Sequence, residues 1–274
     1  MKRPTAAALL PLTTTAVAFR LAHRTGLTGP RLRVSRRTVL KAGGLGLSAL
    51  VTGAWKSRAA VFAAPSQTVS PAGTCLLAPE QTEGPYYIAK EKIRGNLVEH
   101  KPGTPLQLRF RVIDAATCKP IKNAAVDIWH CDAGGVYAGF QSASAGGPPG
   151  GGAGPTDKAT FLRGIQLTNA KGYCEFQTVY PGWYRGRTVH IHVKVHLGGQ
   201  VVGHVVHTGQ LYFPDTLTSN VYQTGVYRSR AAARDTFNSS DGIYQNGGRQ
   251  STLALKRDGR GGYIGAIALG VHRA

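Results

Sequence analysis

Apolar residues between Leu106 and Leu269 recur at every second position in short runs, and each run ends at a glycine, a proline or a polar turn. A period of two is that of a strand with one buried face, whereas a helix would repeat near 3.6. The clearest runs are 106–113, 124–129 and 189–195, and 161–168 with 172–180 reads as a hairpin-like pair across the turn 169–172. Shorter runs at 201–206, 210–213 and 263–269 complete the set, and only 231–237 suggests a helix, a short one. The stretch 141–160, with six glycines and three prolines, is a surface loop in this reading. Many short strands joined by Gly/Pro turns predict an all-β sandwich with long irregular loops. A cupin-type barrel is the alternative, but it wants a further histidine and a carboxylate at motif spacing, which the chain does not offer.

The first 63 residues are of another kind: they hold eleven Lys or Arg and no Asp or Glu. Ser35-Arg36-Arg37-Thr38-Val39-Leu40-Lys41 is a twin-arginine pattern, residues 42–54 form a thirteen-residue apolar run, and Val61-Phe62-Ala63 offers a cleavage site. A membrane span needs about 20 apolar residues. The expectation is therefore a twin-arginine signal peptide over 1–63, a Pro/Ser/Thr linker over 64–74 and one domain over 75–274. The partner this implies is the twin-arginine export machinery. The location is secreted or cell-envelope, with no stable membrane insertion once the signal is removed.

Without the leader the formal net charge falls from +20 to 22 − 13 = +9. That basic surface has no Lys/Arg run, helix-turn-helix or zinc-finger spacing, which argues against nucleic acid as a partner. It suits the steering of anionic aromatic acids. Cys75, Cys118, Cys131 and Cys174 are an even number in an exported domain, so two disulfides are expected. Three pairings are open. Cys118 with Cys174 and Cys75 with Cys131 is the expectation, since the first two lie in neighbouring strand segments and the others near the site. No C-x-x-C spacing exists, so a thiolate metal site is not expected.

Residues 189–195 carry the chemistry. Alternation sets His190 and His192 on one face of the run and Val189, Ile191 and Val193 on the other. Two imidazoles so placed can grip a single ion as a pincer. Alone, H-x-H would more simply be the polar face of a half-buried strand; its company changes that reading. Pro181-Gly182-Trp183-Tyr184 turns into the strand with a phenol, and Arg187 stands three residues before His190. Trp129-His130-Cys131-Asp132-Ala133-Gly134-Gly135-Val136-Tyr137 delivers a second tyrosine after a glycine turn. On its own such a tyrosine is ordinarily a packing residue with its hydroxyl in water. His204 and His207, three apart in a strand, point to opposite faces and read as structural.

Taken together, Y-R-G-R-T-V-H-I-H-V, W-H-C-D-A-G-G-V-Y, F-L-R-G-I-Q and P-E-Q-T-E-G-P-Y-Y resemble the intradiol ring-cleavage dioxygenases, of the catechol and protocatechuate 3,4-dioxygenase type, over about residues 75–212. The resemblance implies a transthyretin-like β-sandwich and one non-haem Fe(III) per chain, held by Tyr137, Tyr184, His190 and His192. It implies that Tyr184 leaves the iron and accepts a substrate proton, and that Arg187 stabilises negative charge building on the ring. Tyr86, Tyr87 and Gly135 would line the substrate pocket, and His130 has no ligand role. The partners would be a small aromatic diol and O₂, the product a cis,cis-muconate-type diacid, and a homodimer is the candidate assembly.

The implied donor set is chemically coherent. Phenolates are hard anions that favour Fe(III), whereas two histidines with one carboxylate favour Fe(II). Ligation ionises phenols whose free pKa is about 10. A guanidinium fixed beside a developing anion is preorganised electrostatic stabilisation; outside this motif Arg187 would read as a surface salt-bridge partner. An exported, non-catalytic transthyretin-like binding module is the alternative function, and it would not need all four donors. A lectin-like or cell-wall protein would show exposed aromatic stripes, while the aromatics here cluster in the motifs.

Overall fold

Two four-stranded sheets form the body of the protein, as a computed structural model shows for residues 77–144, 154–199 and 203–273, together with 75 and 201. The expected signal peptide (1–63) and linker (64–74) lie outside the described residues. The strands are β1 Pro105–Asp114, β2 Ala125–Trp129, β3 Arg163–Leu167, β4 Tyr173–Val179, β5 His190–His196, β6 Val205–Tyr212, β7 Ala254–Arg257 and β8 Tyr263–Val271. One sheet runs β4-β1-β8-β7 and the other β3-β2-β5-β6. All pairings are antiparallel except β1 with β8. Leu108, Phe110, Val112, Phe176 and Leu269 of the first sheet form one buried cluster with Val126, Ile128, Ile191, Val193 and Val195 of the second. The all-β sandwich expectation holds.

Strand β5 is buried along its whole length, on both faces. Since Ile191, Val193 and Val195 fill the core, alternation turns His190, His192, Lys194 and His196 outward, where something must cover them. The segment 79–97 does so. It starts at β6 (Gln81 N donates to Thr208 O at 2.9 Å), reaches β3 (Arg94 N to Ile165 O, 2.9 Å) and ends on β4 (Leu97 N to Gln177 O, 2.9 Å). Glu80 pairs with His207 at 3.0 Å, Glu83 with Lys194 and Glu91 with Arg163 at 3.8 Å, so carboxylates fasten this strap to the sheet beneath.

Several local expectations are corrected. Strands β3 and β4 are not a hairpin: β3 pairs with β2 and β4 with β1, in opposite sheets. Thr168 diverts the chain, its hydroxyl accepting from Ala124 N at 2.9 Å and donating to Ile121 O at 2.7 Å. The runs 201–206 and 210–213 are one strand, β6, because pairing with β5 continues through Thr208 and Gly209. The helices are α1 Gln141–Ser144, α2 Asp215–Tyr222, α3 Arg228–Ala231 and α4 Gly242–Gln245. Residues 232–237 are not helical, since Arg234 pairs with Asp215 and with Thr236 O and so holds the chain in an open turn.

The cysteine expectation fails in both pairing and number. The disulfide joins Cys75 to Cys118, with Cα atoms 5.4 Å apart, while Cys131 and Cys174 are free and buried. Cys174 faces the core on β4, where burial pushes its thiol up to about 12, and Cys118 lies away from it in the β1–β2 turn. Cys131 Sγ donates to Gly182 O at 3.4 Å, within the aromatic cluster beside the site. Replacing Cys75 and Cys118 with serine should cost about 4 kcal/mol in the chain-entropy description of a loop this long, or roughly 10 °C in a thermal melt. Thiol titration of the denatured, unreduced protein should find Cys131 and Cys174 alone; reaction of all four cysteines would contradict the bond.

Candidate metal centre

The centre forms on the outer face of the second sheet, beneath the strap. The β2–β5 register sets Trp129 opposite His192, and their rings stack at 4.9 Å with planes 6° apart. His190 stands opposite Tyr212 on β6. His190 Nδ1 lies 2.7 Å from the Thr188 carbonyl oxygen, which can only accept, so Nδ1 carries the proton and Nε2 keeps its lone pair. Around that Nε2 gather the Tyr184 hydroxyl at 3.0 Å, His192 Nε2 at 3.1 Å and Arg187 Nη1 at 3.5 Å. Tyr184 precedes the strand in a tight turn bridged to Arg187, which folds its phenol back over the histidines. Tyr137 arrives from the β2 side: its ring centroid is 5.7 Å from that of Tyr184 and 6.2 Å from that of His192.

Burial governs the electrostatics. Tyr137, Tyr184, His190 and His192 are each at most 6% exposed. Desolvation, reinforced by Arg187, holds both imidazoles well below the usual histidine range, so both rings are neutral and have lone pairs to offer. Desolvation also raises both phenols, Tyr184 despite the opposing pull of Arg187. A bare phenolate here would be an uncompensated buried anion, and a cation held by the same oxygens reverses that balance. The Tyr137 hydroxyl is fully buried and turned toward the Tyr184 phenol, so the two oxygens share one dry site that a cation could enter. Among the described residues, no three His, Cys, Asp or Glu side chains are placed to hold a metal, so any donor set here has to draw on the phenols. Two neutral imidazoles and two phenols fit a hard cation.

A family model described as a dioxygenase matches residues 82–238, more than half of the chain. An intradiol ring-cleavage dioxygenase from Tetranychus urticae is 34% identical, with a TM-score of 0.65, over 72% of this chain and 95% of that one. The chain belongs to the intradiol ring-cleavage dioxygenase family. The dioxygenase domain of a dioxygenase–carbohydrate-binding protein fusion from Streptomyces sp. SirexAA-E is 29% identical over 72% of this chain and 99% of that one, with a TM-score of 0.51. The 3-chlorocatechol 1,2-dioxygenase of Rhodococcus opacus 1CP, 18% identical over 72% and 73% of the two chains with a TM-score of 0.51, shares the fold. No curated protein sequence matches.

In this dioxygenase Arg187 leans on the donor cluster with its side chain only 12% exposed. Its Nε donates to Asp241 Oδ2 at 2.9 Å and its Nη2 to Gln210 Oε1. Burial works against the guanidinium charge, yet Tyr184 and Asp241 together outweigh it and hold the Arg187 pKa above its usual value. Gln210 Oε1 also accepts from the Tyr212 hydroxyl at 3.1 Å, and its amide donates to Thr82 O at 3.0 Å, tying the strap to the arginine. Neither Gln210 nor Asp241 was anticipated. Gln210 and Tyr212 were within reach of sequence reasoning, since alternation on β6 sets them on one face; Asp241 comes from a loop with no periodic signal.

The remaining sequence candidates divide. Tyr86 is buried against Tyr137 at 4.7 Å and Phe140 at 5.1 Å. Tyr87 is half-buried against Trp129 at 4.8 Å, with the Lys194 ammonium 3.9 Å over its ring. Tyr86 therefore roofs the donor cluster, while Tyr87 packs at its edge through Trp129. Gly135 has φ +82°, and a Cβ there would meet Trp183 O at 2.3 Å, so close backbone packing alone accounts for a glycine. His130 is structural: Nδ1 contacts Cys131 O at 2.8 Å, Nε2 contacts Thr178 Oγ1 at 2.7 Å, and burial takes its pKa down to about 4. His207 is engaged by Glu80, and His204 is exposed.

Proposed function

We propose that this intradiol dioxygenase holds one non-haem Fe(III) with Tyr137, Tyr184, His190 and His192. It then cleaves a catechol-type ring between its two hydroxylated carbons, adding both atoms of O₂ to give a cis,cis-muconate-type diacid. The observation that carries this reading is the approach of the Tyr184 hydroxyl (3.0 Å) and His192 Nε2 (3.1 Å) to His190 Nε2, beside a second buried phenol. A ferric ion held by these four residues would supply Lewis acidity toward the diol oxygens and one-electron redox capacity.

The protein's own groups do the rest. Tyr184, once released as the diol binds, would take a diol proton, and the burial that raises its phenol pKa would favour its keeping that proton. Arg187, charged and clamped, faces the negative charge that grows on the ring and needs no reorganisation to stabilise it. Tyr86, Trp129 and Phe140, all nearly fully buried, keep water from that charge. The test is O₂ uptake by the purified protein on a panel of catechols, with the product identified. Stoichiometric O₂ consumption yielding a ring-opened diacid is the expected result. An iron-loaded protein that consumes no O₂ with any catechol would overturn the reading.

A further inference from the structure

Asp241 lies beyond the segment that the dioxygenase family model matches, yet its carboxylate reaches the site. It is 1% exposed and accepts four hydrogen bonds. Oδ2 takes Arg187 Nε at 2.9 Å and Thr188 N at 2.8 Å; Oδ1 takes Ile243 N at 2.8 Å and Tyr244 N at 2.9 Å, capping α4. Asn238, in the same turn, secures Thr188 by another atom: its Oδ1 accepts the Thr188 hydroxyl at 2.7 Å, and its Nδ2 is anchored on Phe213 O at 2.9 Å. The Thr188 carbonyl in turn accepts from His190 Nδ1 at 2.7 Å. Thr188 is thus fixed at its amide, its hydroxyl and its carbonyl.

We infer that Asp241 is a positioning residue of this active site: it aims the Arg187 guanidinium and, through Thr188, holds the His190 ring in the tautomer that leaves Nε2 free. A helix cap alone would need one oxygen and no arginine. Here the second oxygen is spent on Arg187 and Thr188, the two residues that lead into the H-x-H strand. An unclamped arginine loses rotamer entropy when it is held, and this one has the His190 lone pair 3.5 Å from its Nη1 as a competing partner. Outer-shell groups of this kind typically cost 10- to 100-fold in affinity or activity when lost. The catalytic meaning of the clamp rests on the proposed function, whereas the clamp itself does not.

Asp241→Asn separates clamp from cap. Its amide oxygen still accepts from Ile243 N and Tyr244 N, while its NH₂ group now faces the donors of Arg187 and Thr188. In metal-free protein, ¹⁵N NMR should show an Arg187 Nε–H resonance, assigned by its loss in Arg187→Lys, that is displaced and protected from exchange. In Asp241→Asn it should return to the bulk arginine position. In iron-loaded protein the variant's kcat on catechol should fall about 10- to 100-fold. Arg187→Lys/Asp241→Asn should lose less than the product of the two single losses, because one oxygen serves both residues. An unchanged Arg187 resonance, or two losses that multiply in full, would overturn the inference. Should Asp241→Asn fail to fold, Asp241→Glu keeps the charge but moves it by one methylene, and it should shift the same resonance part-way. A wild-type protein inert toward catechols would sink the proposed function and leave the NMR comparison to decide the clamp.

Discussion

His192→Ala should purify with less than about a tenth of the wild-type iron, since loss of an outer-shell partner alone weakens metal sites 10- to 100-fold and a ligand contributes more. His190→Ala should behave alike. The reason lies in the pincer: His190 Nε2 and His192 Nε2 face each other at 3.1 Å from one strand, and among the described residues no third His, Cys, Asp or Glu is placed to complete a site with them. His130 is turned away and bonded on both ring nitrogens, and His207 is taken by Glu80. Metal analysis of the two variants beside wild type, with O₂ uptake, checks the expectation. Full iron occupancy with undiminished turnover in either variant would remove that histidine from the ligand set.

The two tyrosines should separate by function. Tyr184→Phe should retain part of its iron but bind catechol slowly, because the base that accepts the diol proton is gone; positioned general bases contribute on the order of 10²- to 10⁴-fold. Tyr137→Phe should lose colour and activity together, since its buried hydroxyl is the second phenol of the proposed ligand set. Rapid-mixing kinetics of catechol binding under anaerobic conditions distinguishes them. Equal binding rates in Tyr184→Phe and wild type would remove Tyr184 as proton acceptor.

Much of this site was legible in the sequence because its parts sit on regular structure. His190 and His192 obey strand alternation, and the turn through Pro181-Gly182 sets Tyr184 just ahead of them. The sandwich followed from the same period of two. What escaped depends on contacts between distant residues. Nothing near Asp241 announces that its carboxylate will meet Arg187, and the diversion of β3 from β4 hangs on Thr168 bonding to the backbone ahead of β2. The cysteines show the same limit: strand proximity favoured Cys118 with Cys174, but Cys118 lies in the β1–β2 turn while Cys174 faces the core on β4. The burial of both faces of β5 was also invisible, because the covering strap has no periodicity of its own.

The central claim is that two phenolates and two imidazoles bind one ferric ion and surrender a position to catechol. The visible spectrum of purified protein, titrated with catechol without oxygen, tests it most directly. Tyrosinate-to-iron charge transfer should colour the protein, and catechol should shift that band as Tyr184 gives way. A colourless protein carrying stoichiometric zinc, with no spectral response to catechol, would contradict the account.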